Sequence, residues 1–187
     1  MMIRPAHNQL RLNKRIIALV LMLLMQMICV TLSSANQPRE YQLKAAFLYS
    51  IIKFVDCPGC GVVTRPLNLA ILGQDPFGDD LDVIKGKTAK GRIIVVKNYR
   101  RVEDVKDCDV LFISASEKNR RAHIIKQFQN MPILTVADQE GFCEAGGMIN
   151  LTTVNNKVGF EVNVAAVHRA QLSISSQLLK LAKTITE

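Results

Sequence analysis

Residues 66–73 read PLNLAILG, a short apolar run opened by proline and closed by glycine. It is too short for a globular helix and almost uninterrupted by polar residues, which predicts a strand buried on both faces. GRIIVVKN (91–98), DVLFIS (109–114) and PILTVAD (132–138) repeat the pattern. After the first strand, Asp75 can cap and Pro76 can open a helix over 76–84. EKNRRAHIIKQFQN (117–130) predicts a second helix with Ala122, Ile125 and Phe128 inward. Upstream, residues 38–55 place Leu43, Ala46, Phe47, Ser50, Ile51 and Phe54 at helical spacing, ending before Pro58 and Gly59. MINLTTV (148–154) and KVGFEVN (157–163) flank Asn155-Asn156, a connection suited to a tight antiparallel hairpin. The tail reads as helix in two pieces, 164–171 and 175–185, broken at LSIS. Strands alternating with helices give an α/β fold. The expectation is a single-domain three-layer sandwich, its sheet mostly parallel with an antiparallel C-terminal hairpin.

The first 35 residues carry a different message. Arg4, Arg11, Lys14 and Arg15 precede an apolar run, IIALVLMLLMQMICV (16–30), and Ser33 and Ala35 suit a cleavage site after Ala35. Basic, apolar and small-residue regions in that order read as a secretory signal peptide over 1–35. The run is short for a membrane-spanning anchor. A domain over 36–187 remains, with periplasmic localisation. The full chain has 24 basic and 16 acidic residues. The signal removes four basic ones, leaving 20 − 16 = +4. Export separates so mildly basic a domain from nucleic acid, so its charge says little about partners.

Cys57-Pro58-Gly59-Cys60 is a Cys-x-x-Cys unit following a helix. A redox-active dithiol opens a helix, where the dipole favours the thiolate; a helix C-terminus disfavours it. Zinc needs four ligands, and Cys108, Cys143, His123 and His168 are scattered. In an oxidising compartment Cys57 and Cys60 bridge each other, or one pairs with Cys108 or Cys143. The loop GQDPFGDD (73–80) lies where α/β folds bind ligands, yet it lacks a Gly-x-Gly-x-x-Gly fingerprint and its aspartates repel phosphate. Ser114 and Ser116 end a strand without a nucleophile-elbow motif. No nucleophile, base and orienting group assemble, so no catalytic, metal or cofactor site is expected. Alternation along KVGFEVN sets Val158, Phe160 and Val162 on one face and Glu161 on the other, projecting from the hairpin. Arg169 follows and could meet Glu161 or a ligand. A surface ion pair is the bland alternative.

Seven segments together resemble the YfiR family: EYQLKAAFLYSIIKFVDCP, LNLAILGQDPFGDDLD, GRIIVV, CDVLFISASE, PILTVADQEGFCEAGGMINL, VGFEVNVAA and LSISSQLLKLA. They cover nearly all of the chain after residue 35. The resemblance implies a non-catalytic periplasmic α/β protein that represses an inner-membrane diguanylate cyclase by binding its periplasmic region. It also implies an OmpA-like outer-membrane lipoprotein that sequesters the repressor, and leaves a homodimer open. Glu161 and Arg169 fall in family-like segments and are expected as partner contacts. Cys57 stands where many relatives have an aromatic residue, and Cys60 looks like an addition. Ala70 replaces the cysteine expected to pair with the residue matching Cys108. Those departures favour a local Cys57–Cys60 bridge. Two rival readings are a small-molecule binder near Asp75 and Phe77, and a thiol oxidoreductase using Cys57 and Cys60.

Overall fold

The computed structural model describes residues 37–60 and 64–186, so the signal-peptide reading of 1–35 lies outside the described residues. Helix α1 (Gln37–Phe54) runs into the short strand β1 (Val55–Asp56). Strands β2 (Leu67–Leu72), β3 (Thr88–Ala89), β4 (Arg92–Tyr99) and β5 (Val110–Ile113) follow. Next come helix α2 (Arg121–Phe128), strand β6 (Leu134–Ala137) and the hairpin β7 (Ile149–Val154) and β8 (Lys157–Asn163). The chain closes through helix α3 (Val164–Arg169), strand β9 (Ser173–Ile174), helix α4 (Ser176–Leu179) and strand β10 (Thr184–Thr186).

Eight strands form one sheet in the order β10-β8-β7-β6-β5-β2-β4-β3. The five strands from β7 to β4 are all mutually parallel. The chain goes from β2 outward to β4, then returns to the other side of β2 for β5, β6 and β7. That reversal is a topological switch point between β2 and β5. β8 runs antiparallel to β7, and β10 lies parallel to β8. Asn155 and Asn156 turn the hairpin with φ of 50° and 60°, left-handed angles that asparagine tolerates and this turn requires. A separate pair, β1 with β9, joins Val55 to Ile174.

Alternation along the strands divides the core in two. One face carries Leu69, Ile71, Phe112, Val136, Phe160 and Val162 and packs against α1, α3 and α4. The other carries Leu72, Leu111, Ile113 and Ala137 against Ile124, Ile125 and Phe128 of α2. Covering a largely parallel sheet on both faces is what its two-sided apolar strands require. The three-layer α/β expectation matches this architecture.

Four local expectations need correction. Residues 78–83 form a 3-10 helix in place of the expected helix over 76–84. Asp75 Oδ1 accepts from the Phe77 and Gly78 amides at 2.8 and 3.3 Å, and Gly78 adopts φ 52°, which an α-helix excludes. Helix α1 buries Lys44, Ala45, Leu48, Ile51 and Ile52, whereas Leu43 is exposed, so its inward stripe is rotated from the predicted one. A 3-10 turn over Ala115–Arg120 precedes α2 and shifts its phase, burying Ile124 and exposing Ala122. The tail after Leu179 is not helical, and Thr184–Thr186 joins the sheet as β10.

Candidate functional site

Cys57 and Cys60 form a disulfide across the 3-10 turn that follows β1, their Cα atoms 5.4 Å apart. Cys108 and Cys143 are buried free thiols. Burial pushes their pKa values up to about 11 and about 12, which keeps both protonated and unreactive.

Glu161 lies on the sheet face opposite Phe160 and Val162, as alternation predicts, but it is half-buried. Its Oε2 accepts from Asn150 Nδ2 at 2.9 Å, and Asn150 Oδ1 accepts from the Gln139 amide at 2.9 Å. Gln139 Nε2 donates onward to the carbonyls of Ile113 and Ser114. A chain of hydrogen bonds therefore fixes Glu161 from as far away as the end of β5. Thr184 of β10 stands beside it in register. Arg169 is exposed at the end of α3, a helix that packs on the other face through Ala166 and Val167. No hydrogen bond or ion pair joins Glu161 to Arg169 among the described residues.

At the carboxyl end of β6, Asp138 is sealed. Tyr41 donates its hydroxyl to Asp138 Oδ2 at 2.7 Å, and Lys44 Nζ lies 3.2 Å from the same oxygen. Lys44 also meets Glu40 at 2.7 Å, and Thr153 donates to that Glu40 oxygen at 2.8 Å. Burial, reinforced by the bond to Asp138, raises the Tyr41 pKa. The Lys44 hydrogen bond holds Glu40 below its ordinary value. Asp138 Oδ1 has no partner among the described residues. The polar cluster ties the first turns of α1 to β6 and β7.

The switch point is braced by hydrogen bonds as well. Ser114 donates to the Gln74 carbonyl at 2.6 Å, and Ser116 Oγ accepts from the Gln74 amide at 2.9 Å. A Cβ on Gly73 would lie 2.4 Å from Ser116 Oγ, so β2 and β5 are drawn together there. Phe77 is buried between Tyr41 and Phe112, and Asp75 is occupied by its own turn and by Asn98. Beside them a cavity of about 570 Å³ is bordered by Gln74, Asp75, Asn98, Tyr99 and Ser116, at the position of the small-molecule reading.

The opposite end is open too. A cavity of about 600 Å³ lies at the amino ends of β5 and β6, walled by Ile52, Met131, Ile133 and Leu172 and bordered by the Cys57–Cys60 bridge. Asp109 at its rim accepts from Arg65 and Arg92, each at 2.7 Å, and from the Asn68 amide at 2.8 Å.

A sheet braced at its carboxyl end and a polar, hydrogen-bonded hairpin face describe a scaffold for contacts. The family model described as YfiR/HmsC-like matches residues 41–183. The chain belongs to the YfiR/HmsC-like family. This YfiR/HmsC-like match spans every element from α1 to the approach of β10. Two solved structures share the fold. One is a conserved domain protein from Vibrio cholerae O1 biovar El Tor, with 10% identity and a TM-score of 0.54. The other is the ABC domain in complex with L-Trp from Streptococcus pneumonia, with 8% identity and a TM-score of 0.53. Each comparison covers 78% of this chain but 60% of the other, so the chain spans well short of the full length of either. The YfiR/HmsC-like family is regulatory rather than catalytic. Among the described residues no helix is long and apolar enough to cross a membrane.

Sequence reading missed Lys44, Asp138, Gln139, Asn150, Arg92 and Asp109. Asp138 and Gln139 did carry a signal, as polar residues directly after a buried strand. Lys44 carried none, because a charged residue in a helix reads as solvent-facing.

Proposed function

We propose that the protein is a non-enzymatic periplasmic regulator that binds the periplasmic region of an inner-membrane diguanylate cyclase and holds it inactive, lowering cyclic di-GMP. The family match over residues 41–183 carries this reading, since it supports a periplasmic regulator of a diguanylate cyclase at the level of the family. Repression requires tighter binding to the inactive cyclase than to the active one. Glu161 suits an anchor for the cyclase. Asn150 pre-orients it, and Oε1 is left without a partner among the described residues. Arg169, on the helix behind the sheet, provides a second and separable contact. An OmpA-like outer-membrane lipoprotein competes for the repressor and releases the cyclase. Residues 1–35 direct export and are cleaved after Ala35, leaving a domain over 36–187.

Deleting the gene is expected to raise cyclic di-GMP, with wild type restoring it and Glu161→Lys failing to. Unchanged dinucleotide in the deletion, with the cyclase expressed, would end the repressor reading. Full restoration by Glu161→Lys would move the contact surface elsewhere. Intact mass of the exported protein should begin at Asn36.

A second reading, a periplasmic small-molecule-binding module, is favoured by the amino-end cavity, whose volume of about 600 Å³ lies within the range of ligand pockets. Thermal stabilisation by a metabolite, lost when Ile133→Trp fills the cavity, distinguishes it.

A further inference from the structure

Strand β4 is eight residues long, but its outer neighbour β3 covers only its start, pairing Thr88 with Ile93 and Ala89 with Arg92. Ile94 extends the cover by one step, donating to the Lys87 carbonyl and accepting from the Gly86 amide. On the inner side the Tyr99 carbonyl accepts from Gly73. Backbone groups alternate in direction along a strand, so those of Val96 and Asn98 point outward with Ile94's. Among the described residues nothing pairs with them. An uncovered strand edge is a template for another strand.

The edge is also charged. No acidic residue lies between Asp82 and Glu103 in sequence, and Lys87, Lys97, Arg100 and Arg101 are exposed there. Lys85 pairs with Asp82 at 2.8 Å, and Asp75 accepts from the Asn98 side chain at 3.2 Å. Lys97 and Arg100 have no carboxylate partner among the described residues, and Arg101 reaches only Glu103, at 3.4 Å with both side chains exposed. Edge lysines ordinarily discourage pairing. Here they do so selectively. A second copy pairing antiparallel across Val96 and Asn98 would set Lys97 directly against its own counterpart, which is unfavourable. A partner strand with carboxylates at alternate positions meets the backbone groups and the cations together.

We infer that the outer edge of β4, from Val96 to Asn98, is a docking site for an extended acidic segment of a partner protein, bound by strand addition. Main-chain hydrogen bonds hold the segment, and Lys97, Arg100 and Arg101 select its charge. The site lies at the opposite edge of the sheet from Glu161, so a partner seated on the hairpin leaves it free.

The test uses the protein as the cell accumulates it and a fluorescent peptide of about eight residues, a strand's length, alternating glutamate with valine. The control is the same peptide with alternate amides N-methylated, equal in charge and unable to complete a ladder. The first peptide should bind and slow hydrogen exchange at the Val96 and Asn98 amides. Reversing Lys97, Arg100 and Arg101 to glutamate should weaken binding about tenfold or more, as loss of complementary charge does. Val96→Pro removes an outward N–H while the amides facing β2 are kept, and should abolish binding. If that variant does not fold, the charge-reversal variant and the exchange pattern decide alone. Equal binding of the N-methylated control, protection elsewhere, or binding only to phosphatidylglycerol vesicles would overturn the inference.

Discussion

Asp109 and Asp138 stand at opposite ends of the same sheet, and each gathers two side-chain donors. Asp109 holds Arg65 and Arg92 beside an open cavity, with its side chain 19% exposed. Asp138 holds Lys44 and Tyr41 under the first turns of α1, with its side chain 2% exposed. Water can replace a lost partner at the first site and cannot at the second. Ion pairing at the amino end is therefore adjustable, whereas at the carboxyl end losing one partner strands a buried charge. Open α/β sheets hold ligands at their carboxyl ends. In this protein side chains of its own fill much of that end, and free space lies at both: about 570 Å³ beside Asp75 and Ser116, and about 600 Å³ at the amino end.

The largest effect should come from the sealed end. Lys44→Met leaves Asp138 buried against a single phenol, and is expected to cost about 4 kcal/mol in urea unfolding, as breaking a buried pair does. The double variant Lys44→Met, Asp138→Leu should recover most of that loss; a loss equal to the sum of the two single variants' losses would show that the pair is not coupled. The same cluster sets an acid limit. Glu40 is held below its ordinary value of 4.5 by Lys44, so its contribution is present above 4.5 and disappears as pH falls through the lower folded value. Glu40→Gln should flatten that decline in a pH series of unfolding midpoints. At the open end, reducing Cys57–Cys60 should cost at most about 2 kcal/mol, because the loop it closes is short. A larger loss would mean that the bridge supports the cavity wall. Smallest is Arg65→Ala, expected to cost about 0.5 kcal/mol, since Arg65 is 44% exposed and Arg92 remains on Asp109. A loss near that of Lys44→Met would erase the contrast between the two ends.

The strands were legible because their signals are local. PLNLAILG, DVLFIS and PILTVAD are apolar runs bounded by Pro, Gly or polar residues, and Asn155-Asn156 announces its own turn. Non-local features were hidden. Lys44 and Asp138 meet across 94 residues, and with Lys44 counted as polar the buried stripe of α1 came out rotated. The helix expected over 76–84 failed at Gly78, whose left-handed angle leaves no trace in composition. β3 and β10 span two and three residues, too few for any periodicity to register. Glu161 was placed on the correct face, but its tether through Asn150 and Gln139 depends on strand order, which no single segment encodes.

The small β1–β9 pair has a consequence for the order of assembly. Val55 meets Ile174 and Asp56 meets Ser173, so the segment after the first helix is clasped by one close to the end of the fold. Helix α1 shares its core with Phe160, Val162, Ala166 and Val167, all late in the chain. Contacts so distant in sequence form slowly, because long loops must close before they reward the chain. In a chain emerging from its amino end, α1 is the first of the described elements to be made and the last to complete its docking. Until residue 174 has emerged its apolar side lacks its full set of partners, an interval in which a holding chaperone has a surface to grip.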